Sequence, residues 1–219
     1  MFHTKICGVQ KASDIEAVIA SAADAIGLNF FPPSVRYVDP KTIETAKLSR
    51  QASAGNLFRV GVFVNEPAEV IADIAAAVQL DAIQLHGDET PSTASRVKLI
   101  TNLPVIRAIK LPTQNLTLAE IEERTKPWSE AGFHLLLDAD AGKAHGGSGK
   151  TIDWAVVREW SHANPNVRWT LAGGLDVDNV AEAIRISGAT SVDTASGVEE
   201  LRGEKSLALI EQFASAAQT

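Results

Sequence analysis

Eight short β-rich runs alternate with eight amphipathic stretches along the 219 residues, with no linker or change of composition between them. Ionisable residues recur at the ends of these runs, often beside glycine. These observations predict an α/β protein, one domain over residues 1–219: a (β/α)8 TIM barrel with a parallel, closed, eight-stranded sheet. Strict alternation demands parallel pairing, because each amphipathic stretch must carry the chain back to start the next strand. A doubly wound open sheet is the structural alternative, but its first strand should lead into G-x-G-x-x-G. Here the first strand leads into CGVQKAS.

The expected strands are His3–Cys7, Ala25–Phe30, Phe58–Val64 and Ala82–His86 in the first half. Pro104–Lys110, Phe133–Asp138, Arg168–Gly173 and Ser191–Ser196 follow. A helix-like segment comes after each. The clearest is Pro67–Val78, which opens with proline at a first-turn position and spaces its apolar residues three and four apart. Asp176–Ser187 carries an early acidic run suited to a helix start. Residues two apart in a strand share a face. Lys5 with Cys7, Gln84 with His86, and His134 with Leu136 and Asp138 therefore face the barrel axis. The alternate positions are mainly aliphatic and should pack on helices.

An apolar content of 45% is enough for a full core. The net charge of −7, with no basic cluster, argues against a nucleic-acid or anionic-membrane partner. A single cysteine excludes an internal disulfide and any Cys-rich zinc site. The start MFHTKICGVQ has no signal-peptide pattern, and no apolar run approaches the roughly 20 residues that span a bilayer. A soluble cytoplasmic protein is expected. The five histidines show no metal-ligand spacing, so neither a metal nor a cofactor is expected. The expected ligand is a phosphorylated small molecule; protein partners are not specified by the sequence.

Cys7 ends the first strand and is released by Gly8, a placement that suits a reactive group. Most free cysteines are instead small buried hydrophobes. Lys5, two residues back on the same face, is expected to lower the thiol pKa. Asp138 ends an apolar strand, where a raised pKa would make it a usable general acid. It is too far from the next helix, expected near Asp153, to cap it. The glycine-rich loop between them is long enough for a lid. Its GGSGK run (Gly146–Lys150) matches a Walker motif only at the tail, which argues against nucleotide hydrolysis. Gly173 and Gly174, then Ser196 and Gly197, follow strands seven and eight, where barrels frequently bind phosphate through backbone N–H groups. Arg36, in the loop after strand two, could pair bidentately with a substrate carboxylate. For His86 a satisfied structural histidine is the plainer reading, and the four tryptophans read as packing residues.

KICG, FFPPSVRYV, GVFVN, IQLHGDE, LLLD, GGSGKTIDW, LAGGL and DTASGVE occur in that order. As an ordered set, covering Lys5 to about Gly203, they resemble the phosphoribosylanthranilate isomerase family of tryptophan biosynthesis. Val35 departs from the pattern, which has proline before the arginine. The resemblance implies an Amadori rearrangement of N-(5-phosphoribosyl)anthranilate to 1-(2-carboxyphenylamino)-1-deoxyribulose 5-phosphate. It implies Cys7 as general base, Asp138 as general acid and Arg36 on the anthranilate carboxylate. It also implies phosphate held by Gly173, Gly174, Ser196 and Gly197, with Gly147, Ser148 and Gly149 of the loop adding contacts. Competing readings are a sugar-phosphate epimerase, an indoleglycerol-phosphate-forming barrel, or a phosphosugar-binding scaffold without chemistry.

Overall fold

The structure is a computed structural model, and it describes residues 1–140 and 150–218. Eight parallel strands close into a barrel in sequence order. They are β1 (Thr4–Cys7), β2 (Ala25–Asn29), β3 (Phe58–Phe63), β4 (Ala82–Leu85), β5 (Val105–Leu111), β6 (His134–Ala139), β7 (Trp169–Leu171) and β8 (Val192–Thr194). The first strand closes the ring on the last, with Lys5 opposite Asp193. Eight helices surround the strands: α1 (Ala12–Ala20), α2 (Ile43–Ala54), α3 (Ala68–Val78), α4 (Pro91–Thr101), α5 (Leu118–Ser129), α6 (Trp154–Ala163), α7 (Val180–Ser187) and α8 (Leu207–Ala216).

Side-chain alternation divides the apolar residues into two cores. Ala25, Val60, Ala82, Ile106, Ala108, Leu136 and Ala172 fill the barrel interior with Phe2. The alternate positions, among them Ile6, Leu28, Leu85, Leu135 and Leu137, pack outward against the helices and are all fully buried. Each such side chain contributes about 1.5–3 kcal/mol by leaving water. Toward the N-terminal end of the interior, His134 Nε2 lies 2.8 Å from Thr170 Oγ1, which lies 2.9 Å from Ser191 Oγ. Burial, with help from Arg168 and the chain's amino terminus, pushes this histidine down to about 4.

Three local features depart from the sequence expectation. Pro67 is the cap of α3 and not its first turn. The α7 helix starts at Val180, because the Asp176 carboxylate accepts the N–H groups of Asp178 and Asn179 and holds that stretch in a turn. Strict alternation is broken after β8, where a 3-10 turn (Ser196–Val198) leads into an antiparallel hairpin of β9 (Glu199–Leu201) and β10 (Glu204–Lys205). Asp153 caps α6 by accepting from Ala155 and Val156, so Asp138 is left without that role, as expected.

Candidate active site

Cys7 lies at the C-terminal end of β1, buried, with Lys5 two residues behind it. Room for its sulfur comes from β2: a Cβ on Gly27 would stand 2.6 Å from Cys7 Sγ. Gly8 then turns the chain away with a φ of +77°, and a Cβ there would stand 2.3 Å from Arg36 Cδ. Glycine is therefore required on both sides of the thiol, and the Arg36 stem lies across the turn that releases it. Lys5 pulls the thiol down, as expected, through its charge and a hydrogen bond. Burial pushes the Cys7 thiol up, and the downward pull of Lys5 does not overcome it. Lys5 is already engaged, with its Nζ 2.7 Å from Asp193 Oδ1. Asp193 itself pushes the thiol up, and Lys205 pulls it down.

Asp138 stands on β6, separated from β1 by β7 and β8. Its Oδ2 is 3.1 Å from Nε2 of His86, the residue that follows β4, which is separated from β6 by β5. The Gln84 amide nitrogen lies 3.0 Å from His86 Nδ1. With the amide so placed, Nδ1 accepts, the ring proton sits on Nε2, and His86 donates to Asp138. The loop carrying His86 is braced from below. Glu89 accepts from the N–H groups of Gly87 (2.9 Å) and Asn65 (2.7 Å), and Arg107 pairs with Glu89 at 2.5 Å while donating to the Gly87 carbonyl. Sequence reasoning underweighted His86, whose partner lies 52 residues away.

Arg36 is buried and doubly bound to Glu199: Nε to Oε1 at 2.5 Å and one terminal nitrogen to Oε2 at 2.8 Å. Lys205 completes the cluster, donating to Glu199 Oε1 at 3.0 Å and to the Ala195 carbonyl at 2.6 Å. Burial alone would push the Glu199 carboxyl up. The Arg36 hydrogen bonds, the Lys205 charge and the Gly203 N–H reverse this and hold it down at about 2. The bidentate pair uses two of the three guanidinium nitrogens, and among the described residues no hydrogen bond engages Nη1. Neither Glu199 nor Lys205 was among the residues the sequence singled out.

The turns after β7 and β8 are tightly packed. Gly173 and Gly174 have φ of +83° and +68°; a Cβ on the first would meet the Ala139 nitrogen at 2.2 Å and on the second the Lys150 carbonyl oxygen at 2.4 Å. A Cβ on Gly197 would stand 1.9 Å from the Leu175 carbonyl oxygen. Thr194 Oγ1 donates to that same carbonyl at 2.7 Å and the Asn179 amide to the Gly174 carbonyl at 2.9 Å, tying the two turns together. Among the described residues, the N–H groups of Gly174, Ser196 and Gly197 find no protein acceptor. Gly147, Ser148 and Gly149 lie outside the described residues.

A closed (β/α)8 barrel with a thiol, a carboxylate and anion-ready turns at one mouth defines an enzyme of acid–base chemistry on a small molecule. The family model for N-(5'-phosphoribosyl)anthranilate isomerase matches residues 4–216. The chain belongs to that family. It is 38% identical to the N-(5'-phosphoribosyl)anthranilate isomerase of Rhodospirillum rubrum, over 97% of this chain and 95% of that one. It is also similar to the crystal structure of phosphoribosyl anthranilate isomerase from Thermotoga maritima, with a TM-score of 0.86 and 35% identity, covering 100% of this chain and 99% of that one. A second solved isomerase, in complex with reduced 1-(o-carboxyphenylamino)-1-deoxyribulose 5-phosphate, gives a TM-score of 0.82 and 32% identity over 100% and 99% of the two chains.

Proposed function

We propose that this chain carries out the reaction of its family, the isomerisation of N-(5'-phosphoribosyl)anthranilate in tryptophan biosynthesis, with Asp138 as general acid and Cys7 as general base. Asp138 gives its proton to the furanose ring oxygen as the bond from that oxygen to C1′ breaks. The anthranilate nitrogen supplies the electron pair that makes C1′ an iminium. The Cys7 thiolate then removes the proton from C2′. Those electrons form the C1′=C2′ bond and return the nitrogen pair, giving an enolamine. Loss of the C2′ hydroxyl proton and protonation at C1′ complete the ketone. The two groups stand on strands separated by two others, which suits proton transfer at two sites of one sugar.

Arg36 holds the anthranilate carboxylate through the nitrogen that Glu199 leaves open. The amides of Gly174, Ser196 and Gly197, with Gly173 shaping the turn, hold the phosphate. Gly147, Ser148 and Gly149 are proposed to add contacts from the loop. A cytoplasmic setting is proposed with the biosynthetic role, and among the described residues no helix is long and apolar enough to cross a membrane. The observation that carries the reading is the ordered placement of Cys7, Asp138 and the two phosphate-ready turns at C-terminal strand ends of one barrel. The test is turnover of N-(5'-phosphoribosyl)anthranilate, generated in place, by the wild type and by Cys7→Ser. The wild type should turn over and the variant should lose 10²-fold or more, a loss typical of a missing general base, roughly estimated. Equal rates would remove Cys7 from the mechanism.

A further inference from the structure

Two nearly fully buried charged side chains, Glu199 and Lys205, sit on the β9–β10 hairpin outside the proton transfers described above. The charged groups around Cys7 come from four elements: Lys5 on β1, Asp193 on β8, Arg36 in the loop after β2, and Lys205 on the hairpin, with Glu199 bound to the last two. They are three cations and two carboxylates. Lys5 is matched by Asp193 at 2.7 Å, while Arg36 and Lys205 share the single carboxylate of Glu199 at 2.5 and 3.0 Å. One positive charge is therefore left over. The side chains of Lys5 and Lys205 are fully shielded from water, and that of Arg36 is 9% exposed.

We propose that Lys205 is a positioning residue for the base: because it and Arg36 share the one carboxylate of Glu199, the cluster keeps one unmatched buried charge, and the Cys7 thiolate is the anion that neutralises it. An unmatched ion out of water is costly, and ionisation of the thiol cancels that cost locally. In that step the S–H bond breaks, sulfur keeps the electron pair, and the proton passes to water. Lys5 is the stronger downward pull on the thiol and hydrogen-bonds it, Lys205 adds a second pull, and burial still holds the thiol above its ordinary value. The inference deepens the assignment of Cys7 as base and rests on it for its catalytic meaning; the ionisation of the sulfur does not depend on that assignment.

The chain has one cysteine, so the pH dependence of its alkylation by iodoacetamide reports Cys7 alone. In the full chain, Lys205→Met takes the net charge of the Arg36–Glu199–Lys205 cluster from one to zero and should raise the midpoint by about one pH unit. Glu199→Gln takes it to two and should lower the midpoint by about as much. The double variant restores one and should return the midpoint close to wild type, and Lys205→Arg should stay there. Structural damage would add in the double variant, whereas charge cancels. An unmoved midpoint in Lys205→Met, or a shift of the same sign in both single variants, would overturn the proposal. The acidic limb of the pH–rate profile should move with the alkylation midpoint. Alkylation shifts without that movement would uphold the charge inference and count against Cys7 as the base.

Discussion

Replacing Arg36 by methionine keeps a stem to lie on Gly8 and removes the guanidinium that binds Glu199 twice. Burial opposes the Glu199 carboxylate, yet Arg36, Lys205 and the Gly203 N–H hold the group at about 2 against an ordinary value near 4.5. That difference corresponds to about 3 kcal/mol of stability at neutral pH, shared among the three donors. The folded value is the depressed one, so this stability is present above the ordinary pKa and is lost as pH falls towards 2. At pH 3 about 1 kcal/mol of it remains. Urea unfolding should therefore show Arg36→Met less stable than wild type by about 1.5–3 kcal/mol at pH 7, with the gap narrowing by pH 3. The same variant should bind a carboxylate-bearing product analogue about 10-fold to 100-fold more weakly and an analogue lacking the carboxylate almost normally. A stability gap independent of pH would refute the pairing argument. Equal loss for both analogues would mean that Arg36 shapes its loop and does not read the carboxylate.

Other outcomes follow from the same geometry. Ser196→Asp places a negative charge where the dianion should sit, so calorimetry should show much weaker binding of a phosphorylated product analogue at nearly unchanged stability; unchanged affinity would remove this turn from the phosphate site. Gly197→Ala sets a methyl 1.9 Å from the Leu175 carbonyl oxygen and should cost stability by about 1–3 kcal/mol, visible as a lowered Tm, while an unchanged Tm would show that the turn relaxes freely. His134 is depressed to about 4, so its contribution is complete above the ordinary 6.5 and lost as pH falls through 4. His134→Gln should accordingly flatten the loss of stability over that window, and a slope equal to that of wild type would place the titration elsewhere.

The parity of Lys5 with Cys7 and of His134 with Asp138 was legible because a strand repeats every two residues and its apolar positions mark the other face. The cap at Asp153 was legible because its signal is local. Where the α7 helix starts was not, since Asp176 offers the backbone a competing turn whose outcome is settled over only a few residues. The hairpin after β8 has strands of three and two residues, too short to show a period. The Arg36–Glu199 pair spans 163 residues, and no spacing rule connects positions so far apart. Sequence thus placed Cys7 and Asp138 towards the C-terminal ends of their strands, but it could not show which charges would be matched once the barrel closed. Lys5 does pull the thiol down, but sequence could not show that burial would outweigh it or that Asp193, across the β1–β8 seam, would pair with Lys5 as well.

The central claim is that two side chains from opposite parts of the chain share the proton transfers of one rearrangement. The most direct test of it is the rate of N-(5'-phosphoribosyl)anthranilate turnover by Asp138→Asn, measured beside its affinity for product analogue. Asparagine keeps the shape at the end of β6 and a group for His86 to bond, but it has no proton to deliver to the ring oxygen. The expected result is a folded variant with near-normal affinity and a rate reduced by roughly 10²–10⁴-fold. A folded variant turning over within a few-fold of wild type would contradict the account and show that another donor opens the ring.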